Sequence, residues 1–424
     1  MKRFVAAALL CTLAGTFASA ADGLKPGDHV AVIGDSITEQ KQYSVFIEDY
    51  LLMCQPATGL RATQFGWGGE TAGGFNNRVE NDTLRFKPTV ATTCYGMNDG
   101  GYSPSNPGKL KGYYEAQKSV VKKLKEGGVR FIVVGSPGCV DTDFFRRDPN
   151  DPKKAKDAST MYNATLADLR DQAKKVAEEE GVAFANVFDA MHSAMGKAKE
   201  KLGPGYHLCG GDGFHPDANG HLAMAYAFLK GLGCTGEIGT ITVDLQAGSA
   251  TATEGHKVLS SKDGVVDLES TRYPFCFYGD PKSTGATRGV IEFLPFNEEL
   301  NRYLLVVKGA KGDKVKVTWG TVAKEFTPEQ LGKGINLAAE FLDNPFSEPF
   351  KAVEAKVRAQ QGFETPLVKD MINKLPTYKK FAPEESEAID RIATKLIARD
   401  KELFDAASAA VAPVKHTLKI EAAK

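Results

Sequence analysis

Up to Gly233 the sequence alternates short apolar runs with longer amphipathic runs of helical period, and this alternation is the mark of an α/β domain built on a parallel sheet. Val30-Ala31-Val32-Ile33 is apolar without alternation, as a strand buried on both faces must be. Further strands are predicted at 60–65, 89–95, 129–135 and 182–187, with helices at 43–54, 73–86, 110–125, 160–181 and 216–232. Five strands with interleaved helices specify a flavodoxin-like three-layer α/β/α sandwich. After Gly233 the period changes. Thr/Val-rich runs at 241–245, 264–268, 302–308 and 314–319, divided by Gly and Asp rather than by helices, point to an antiparallel β unit. From the capped start Thr327-Pro328-Glu329-Gln330 onward the tail to Ala412 reads as several helices. The expected organisation is a leader at 1–20, an α/β catalytic domain at 21–238, a β-rich accessory region at 239–325 and a helical C-terminal region at 326–424.

The leader has the layout of a secretory signal peptide: Lys2 and Arg3, an apolar stretch over 4–16, and the small residues Ala18-Ser19-Ala20 at the cleavage position. Cleavage near Ala20 predicts a secreted or periplasmic protein with no integral membrane span in the mature chain. Lys+Arg and Asp+Glu both number 53, so no global field favours nucleic acid, which is not an expected partner. Once Cys11 leaves with the leader, Cys54, Cys94, Cys139, Cys209, Cys234 and Cys276 remain. Their even number is compatible with disulfides in an exported chain, and none has CxxC spacing, so no metal site is expected. Cys139 follows the fourth strand and Cys209 precedes a His-bearing loop, which makes them the expected disulfide pair.

Four short segments carry chemistry. Gly34-Asp35-Ser36-Ile37 directly follows the first strand, so its serine stands where open α/β sheets place ligands. Asp and Ser there also serve as ordinary helix caps. Gly66-Trp67-Gly68-Gly69-Glu70-Thr71 follows the second strand, and its glycines allow a backbone amide to approach a reacting group. It lacks the endings of a P-loop or a dinucleotide fingerprint, which argues against a nucleotide cofactor. Gly96-Met97-Asn98-Asp99 follows the third strand and offers an Asn amide as a hydrogen-bond donor, although the same residues make turns. In Asp212-Gly213-Phe214-His215-Pro216 a carboxylate stands three residues before a histidine, within reach of its Nδ1–H, just ahead of the last helix.

In this order the four segments resemble the signature blocks of the SGNH (GDSL-type) hydrolase superfamily over roughly residues 28 to 233. The resemblance implies Ser36 as nucleophile, Asp212 and His215 as its triad partners, and an oxyanion hole formed by Ser36, Gly69 and Asn98. It also implies esterase chemistry through an acyl-enzyme, with no metal or organic cofactor. Two features depart from the family pattern: Gln64 stands where an asparagine often precedes the second block, and the region beyond residue 238 has no counterpart in the minimal domain. The G-x-S-x-G elbow of α/β-hydrolases is absent, Thr38 standing in place of its final glycine. A polar stretch at 98–108 favours a small acyl group on a carbohydrate as substrate, while Trp67, Phe144 and Phe145 offer material for an apolar acyl groove. The alternatives are a lipase or phospholipase of the same superfamily, or a non-catalytic carbohydrate- or surface-binding protein. His207 and His221 near the site are read as packing residues.

Overall fold

The computed structural model describes residues 23–148 and 150–423, so the leader lies outside the described residues. Five strands, β1 (His29–Gly34), β2 (Arg61–Gln64), β3 (Val90–Cys94), β4 (Phe131–Gly135) and β5 (Ala183–Ala185), form a parallel sheet in the order β2-β1-β3-β4-β5. This is the flavodoxin-like order, in which the winding direction reverses between β1 and β3. All six residues of β1 are buried, which accounts for its unalternated apolar run. The carboxyl ends of β1 and β3 flank the crevice at the reversal, and the first and third sequence blocks begin there.

Two predicted elements differ. The helix expected over 73–86 breaks into a short helix Ala72–Asn76, a π-turn Val79–Thr83 and a 3-10 turn Leu84–Phe86, because Gly73, Gly74, Asn76 and Asn77 are poor helix formers. The strand expected over 182–187 stops at Ala185. Asn186 instead caps an unpredicted helix, Val187–Leu202, its side chain accepting from the Asp189 amide at 3.1 Å.

Among the described residues, nine further strands lie beyond the α/β domain: β6 (Glu237–Asp244), β7 (Ser249–Ala252), β8 (His256–Lys262), β9 (Val265–Ser270), β10 (Arg302–Lys308), β11 (Val315–Trp319), β12 (Val322–Phe326), β13 (Ile335–Asn336) and β14 (Val414–Ala422). They form a four-stranded sheet, β13-β10-β6-β7, and a five-stranded sheet, β12-β11-β14-β9-β8. The second sheet is antiparallel throughout, but β6 and β10 pair in parallel, contrary to the antiparallel expectation. The region 326–424 is not helical to its end. Its last strand, β14, inserts between β9 and β11, with Val414, His416, Leu418 and Ile420 buried and the residues between them exposed. Among the described residues no helix is long and apolar enough to cross a membrane.

Between β12 and β14 the chain crosses back to the catalytic sheet, where the helix Ser347–Pro366 packs along the edge strand β2. The inner amides of β2 are served by β1: Arg61 N–H donates to Asp28 O and Phe65 N–H to Val32 O. Its outward amides have no strand partner. Ala62 N–H instead donates to Glu48 Oε1 at 3.1 Å and Gln64 N–H to Glu364 Oε2 at 2.7 Å, while Gln360 Nε2 donates to Ala62 O at 3.1 Å. Glu48 on the helix Tyr43–Met53, with Gln360 and Glu364 on the helix Ser347–Pro366, thus covers the sheet edge with side-chain carboxyl and amide groups in place of a neighbouring strand.

Burying these acids raises their proton affinity. Burial pushes Glu48 up to about 7 and Asp400, beside the same strand, to about 6, while burial and neighbouring acids push Glu364 well above the usual carboxylate range. Acids whose folded pKa exceeds the unfolded value contribute stability that is full below the unfolded value, near pH 4, and is lost as pH rises through about 6 to 7. The melting temperature is therefore expected to fall between pH 5 and pH 8, and Glu48→Gln to flatten that slope by about 1 kcal/mol or more. Calorimetry of both proteins across this range checks it, and parallel slopes would refute it.

Candidate active site

Ser36 opens the short helix Ser36–Glu39 directly after β1, with Asp35 as its cap, accepting from Ile37 N–H at 3.0 Å. The strand must end in glycine here: a Cβ on Gly34 would lie 2.1 Å from Thr38 Oγ1 and 2.9 Å from the carbonyl of Cys94. As a first-turn residue, Ser36 has a backbone N–H without an intrahelical acceptor. Its hydroxyl lies 2.8 Å from His215 Nε2, and His215 Nδ1 lies 2.7 Å from Asp212 Oδ2. A ring protonated on Nδ1 donates to the carboxylate and accepts the serine proton on Nε2, satisfying both contacts.

The loop that carries the pair is a tight one. Asp212 Oδ1 accepts from the amides of Phe214 at 3.0 Å and His215 at 2.9 Å, so the carboxylate turns the chain and faces the ring with its other oxygen. Partial burial works against its charge, yet these amides and the imidazole hold Asp212 below its ordinary carboxylate value. Gly210, at φ +75°, allows the carbonyl of His215 to pass where a Cβ would lie only 1.8 Å away.

The second and third blocks meet beside the serine. Trp67 N–H donates to Gly34 O at 3.1 Å, and Gly69 sits at φ +74° with open space where a Cβ would stand. Asn98 Nδ2 donates to Glu70 O at 3.0 Å, and its Oδ1 accepts from Tyr102 O–H at 3.1 Å, so the amide orientation is set from both ends. A primary amide carries two N–H groups, which leaves the second for an oxyanion. Asp99 staples the blocks together, accepting from Ala72 N–H and Gly96 N–H, both at 3.0 Å; burial raises it to about 6.

Sequence reasoning quoted Glu70 but assigned it nothing. In the structure both its oxygens take donors from Arg78, each at 2.6 Å, and Tyr95 O–H adds a third at 2.7 Å. Arg78 also reaches Phe65 O at 2.7 Å, so one guanidinium ties the loop to the end of β2. Tyr102 was missed as well. It follows Gly101 in the left-handed region, at φ +52°, an uncommon backbone for a bulky residue and a signal that only coordinates reveal. Its ring, with Phe145 and Phe214, forms an aromatic wall whose nearest member, Phe214, lies 4.2 Å from the His215 ring.

The remaining expectations fall into place around this core. His221 is fully buried and pushed down to about 3 by burial, accepting from Tyr43 N–H at 3.3 Å and meeting Gln40 Oε1 at 2.7 Å. It packs rather than reacts. His207 lies against the Phe144 ring at 4.9 Å. Cys139 and Cys209 come together, both buried, but as free thiols with sulfurs 3.6 Å apart rather than as a disulfide.

Residues 32–223 match the model of the GDSL-like lipase/acylhydrolase family. The catalytic domain belongs to the SGNH hydrolase superfamily. An acetylxylan esterase from Geobacillus stearothermophilus is 21% identical over 226 residues, 49% of this chain and 94% of that protein. The GDSL-like acylhydrolase domain makes the chain a carboxylic ester hydrolase. Its fold is also similar to that of a gut microbial diltiazem-metabolizing enzyme, with a TM-score of 0.72 and 23% identity over 96% of this chain and 100% of that one. A crystal structure of the Geobacillus stearothermophilus acetylxylan esterase aligns at a TM-score of 0.38 and 23% identity over 49% of this chain and 95% of that one.

Tyr102→Phe removes one of the two contacts that orient the Asn98 amide, and a neutral hydrogen bond contributes about 1 kcal/mol. The expected result is a several-fold lower kcat with KM within two-fold. Steady-state kinetics on a small ester checks this, and an unchanged kcat would show that the Glu70 carbonyl alone sets the amide.

Proposed function

We propose that this SGNH hydrolase is an exported esterase that removes short acyl groups, acetyl above all, from carbohydrates through Ser36, His215 and Asp212. The observation that carries the mechanism is the unbroken chain of contacts from the Ser36 hydroxyl through His215 to Asp212, at 2.8 and 2.7 Å. His215 takes the Ser36 proton, Ser36 attacks the ester carbonyl, and the charge that develops on the carbonyl oxygen meets the Ser36 amide, the Gly69 amide and the Asn98 side chain. The alkoxide leaves with the proton from His215, and water then resolves the acyl-enzyme by the same proton path.

Ser36→Ala and His215→Ala are each expected to lower kcat by about 10³-fold or more, Asp212→Ala by less, and Asn98→Ala by about 10²-fold with KM nearly unchanged. Kinetics together with fluorophosphonate labelling tests the assignment. Full activity in Ser36→Ala, or no labelling of the folded wild type, would sink it and favour a binding protein.

The substrate reading rests on the openness of the site. The Asp212 side chain is 46% exposed and that of His215 28%, so an extended substrate reaches the triad without entering a closed cavity. The acetylxylan esterase likeness points to the same class, and the leader supports a role outside the cytoplasm. One observation favours a lipase instead: the wall of Phe214, Tyr102 and Phe145 beside His215 offers apolar surface to an acyl chain. An ester panel separates the two. Acetyl esters of xylo-oligosaccharides are expected to be turned over best, with kcat/KM falling as the acyl chain lengthens; a steady rise with chain length, or activation at a micelle surface, would decide for the lipase.

A further inference from the structure

The second block, Gly66-Trp67-Gly68-Gly69, has one side chain among four residues, and glycines lose the most conformational freedom when a loop is fixed. An oxyanion donor on such a loop works only if the loop is held before the reaction, since preorganised donors act without reorganising. The catalytic domain holds one end of it, through Arg78 and Tyr95 on Glu70. The other end is held from the C-terminal region.

At the end of the helix Ser347–Pro366, Glu364 Oε2 accepts from Gln64 N–H and Thr365 Oγ1 accepts from Gln64 Nε2 at 2.8 Å, while Gln64 Oε1 accepts from Gly66 N–H at 3.0 Å. One turn later, Lys369 Nζ donates to Glu39 Oε1 at 2.6 Å, and the other oxygen of Glu39 accepts from Gly68 N–H at 2.5 Å. Glu39 is the last residue of the nucleophile helix, and Gly68 immediately precedes Gly69. The Lys369 ammonium also lies 4.8 Å from the centre of the Trp67 ring, the loop's only side chain. Lys369 and Glu39 are three-quarters shielded from solvent, at 25% and 24% exposure, which reduces screening of the pair.

We propose that Lys369 is a positioning residue of the oxyanion site, supplied by the C-terminal region and acting through Glu39 and Trp67 to fix the loop that presents the Gly69 amide. This rests on the oxyanion role proposed above for Gly69 and Asn98. It gives the region beyond residue 238 a catalytic duty: without Lys369 the nucleophile helix and the oxyanion loop lose the cation that draws them together.

The test uses the full chain and four variants: Lys369→Met, Lys369→Arg, Glu39→Gln and the double variant Glu39→Gln/Lys369→Met. Lys369→Met is expected to lower kcat on an acetyl ester about ten-fold, with KM within two-fold and the melting temperature within a few degrees. The rate of fluorophosphonate labelling, which also builds negative charge on an oxygen at Ser36, falls in parallel. Lys369→Arg restores most of the loss, and the double variant is no slower than Glu39→Gln, since both substitutions break one relay. A KM rise alone would make Lys369 a substrate contact and overturn the proposal, as would wild-type kcat in Lys369→Met or fully additive losses. Asn98→Ala, run alongside, separates the two layers. If it lowers kcat while Lys369→Met does not, only this inference fails; if neither lowers kcat, the oxyanion reading fails with it.

Discussion

A parallel sheet has two edges, and at β2 the amides of Ala62 and Gln64 point away from the sheet into the protein. Each buried donor left unpaired costs about 1 to 3 kcal/mol, so some element must cover that edge. The chain uses two helices, Tyr43–Met53 and Ser347–Pro366, which have no backbone groups to spare along their sides and must satisfy the strand with side chains. Glu48 and Glu364 accept the two amides and Gln360 donates to the carbonyl between them. Carboxyl groups reach far enough to do this, but burial favours their protonated form, and the stability of the whole arrangement becomes linked to pH. The same choice determines where the chain goes next. The helix Ser347–Pro366, laid along β2, delivers its C-terminal end to the carboxyl end of that strand, where the glycine loop begins.

The site shows a division of labour between backbone and side chain. Strand ends place the three loops: Ser36 after β1, the glycine loop after β2, Asn98 after β3. The contacts between loops are then made by carboxylates that accept backbone amides, Asp99 at Ala72 and Gly96 and Glu39 at Gly68, while Asp35 caps the helix that Ser36 opens by accepting from Ile37. Each of these contacts reaches amides that a sheet ladder cannot. Where a carboxylate alone does not suffice, a cation is added, Arg78 at Glu70 and Lys369 at Glu39.

Much of the catalytic domain was legible because its signals are local. A buried parallel strand announces itself as an apolar run, and a loop at its end follows by topology, so the four blocks could be placed before any coordinates. The supporting residues are not local in this sense. Gln64 and Thr365 are 301 positions apart and Lys369 and Glu39 are 330 apart, and no periodicity links them. The strand β14 carried a readable alternation in Val414-Lys415-His416-Thr417-Leu418, but it lay behind a long helical stretch that set the expectation for the whole tail. The parallel pairing of β6 with β10 depends on a crossover through 245–301 that strand patterns do not encode. The histidines make the same point. His29, His221, His256 and His416 are all buried, with pKa values lowered by burial, a placement that their sequence contexts do not announce.

The carboxyl groups around the serine complete the argument, because one side chain type is used in two opposite states. Burial raises Asp35 to about 7 and Asp99 to about 6, so these staples tolerate a proton and hold their loops as neutral or charged acceptors. Asp212 is placed at the surface and receives two amides and an imidazole, which keep it charged below its ordinary value. A carboxylate that must stabilise a transient imidazolium has to remain ionised whenever a serine nucleophile attacks, and one that only holds backbone amides does not. Separating acids by environment in this way is how a fold assigns different duties to chemically identical groups. Here the charged acid is the exposed one, and under the function proposed above the same exposure serves access by a large substrate.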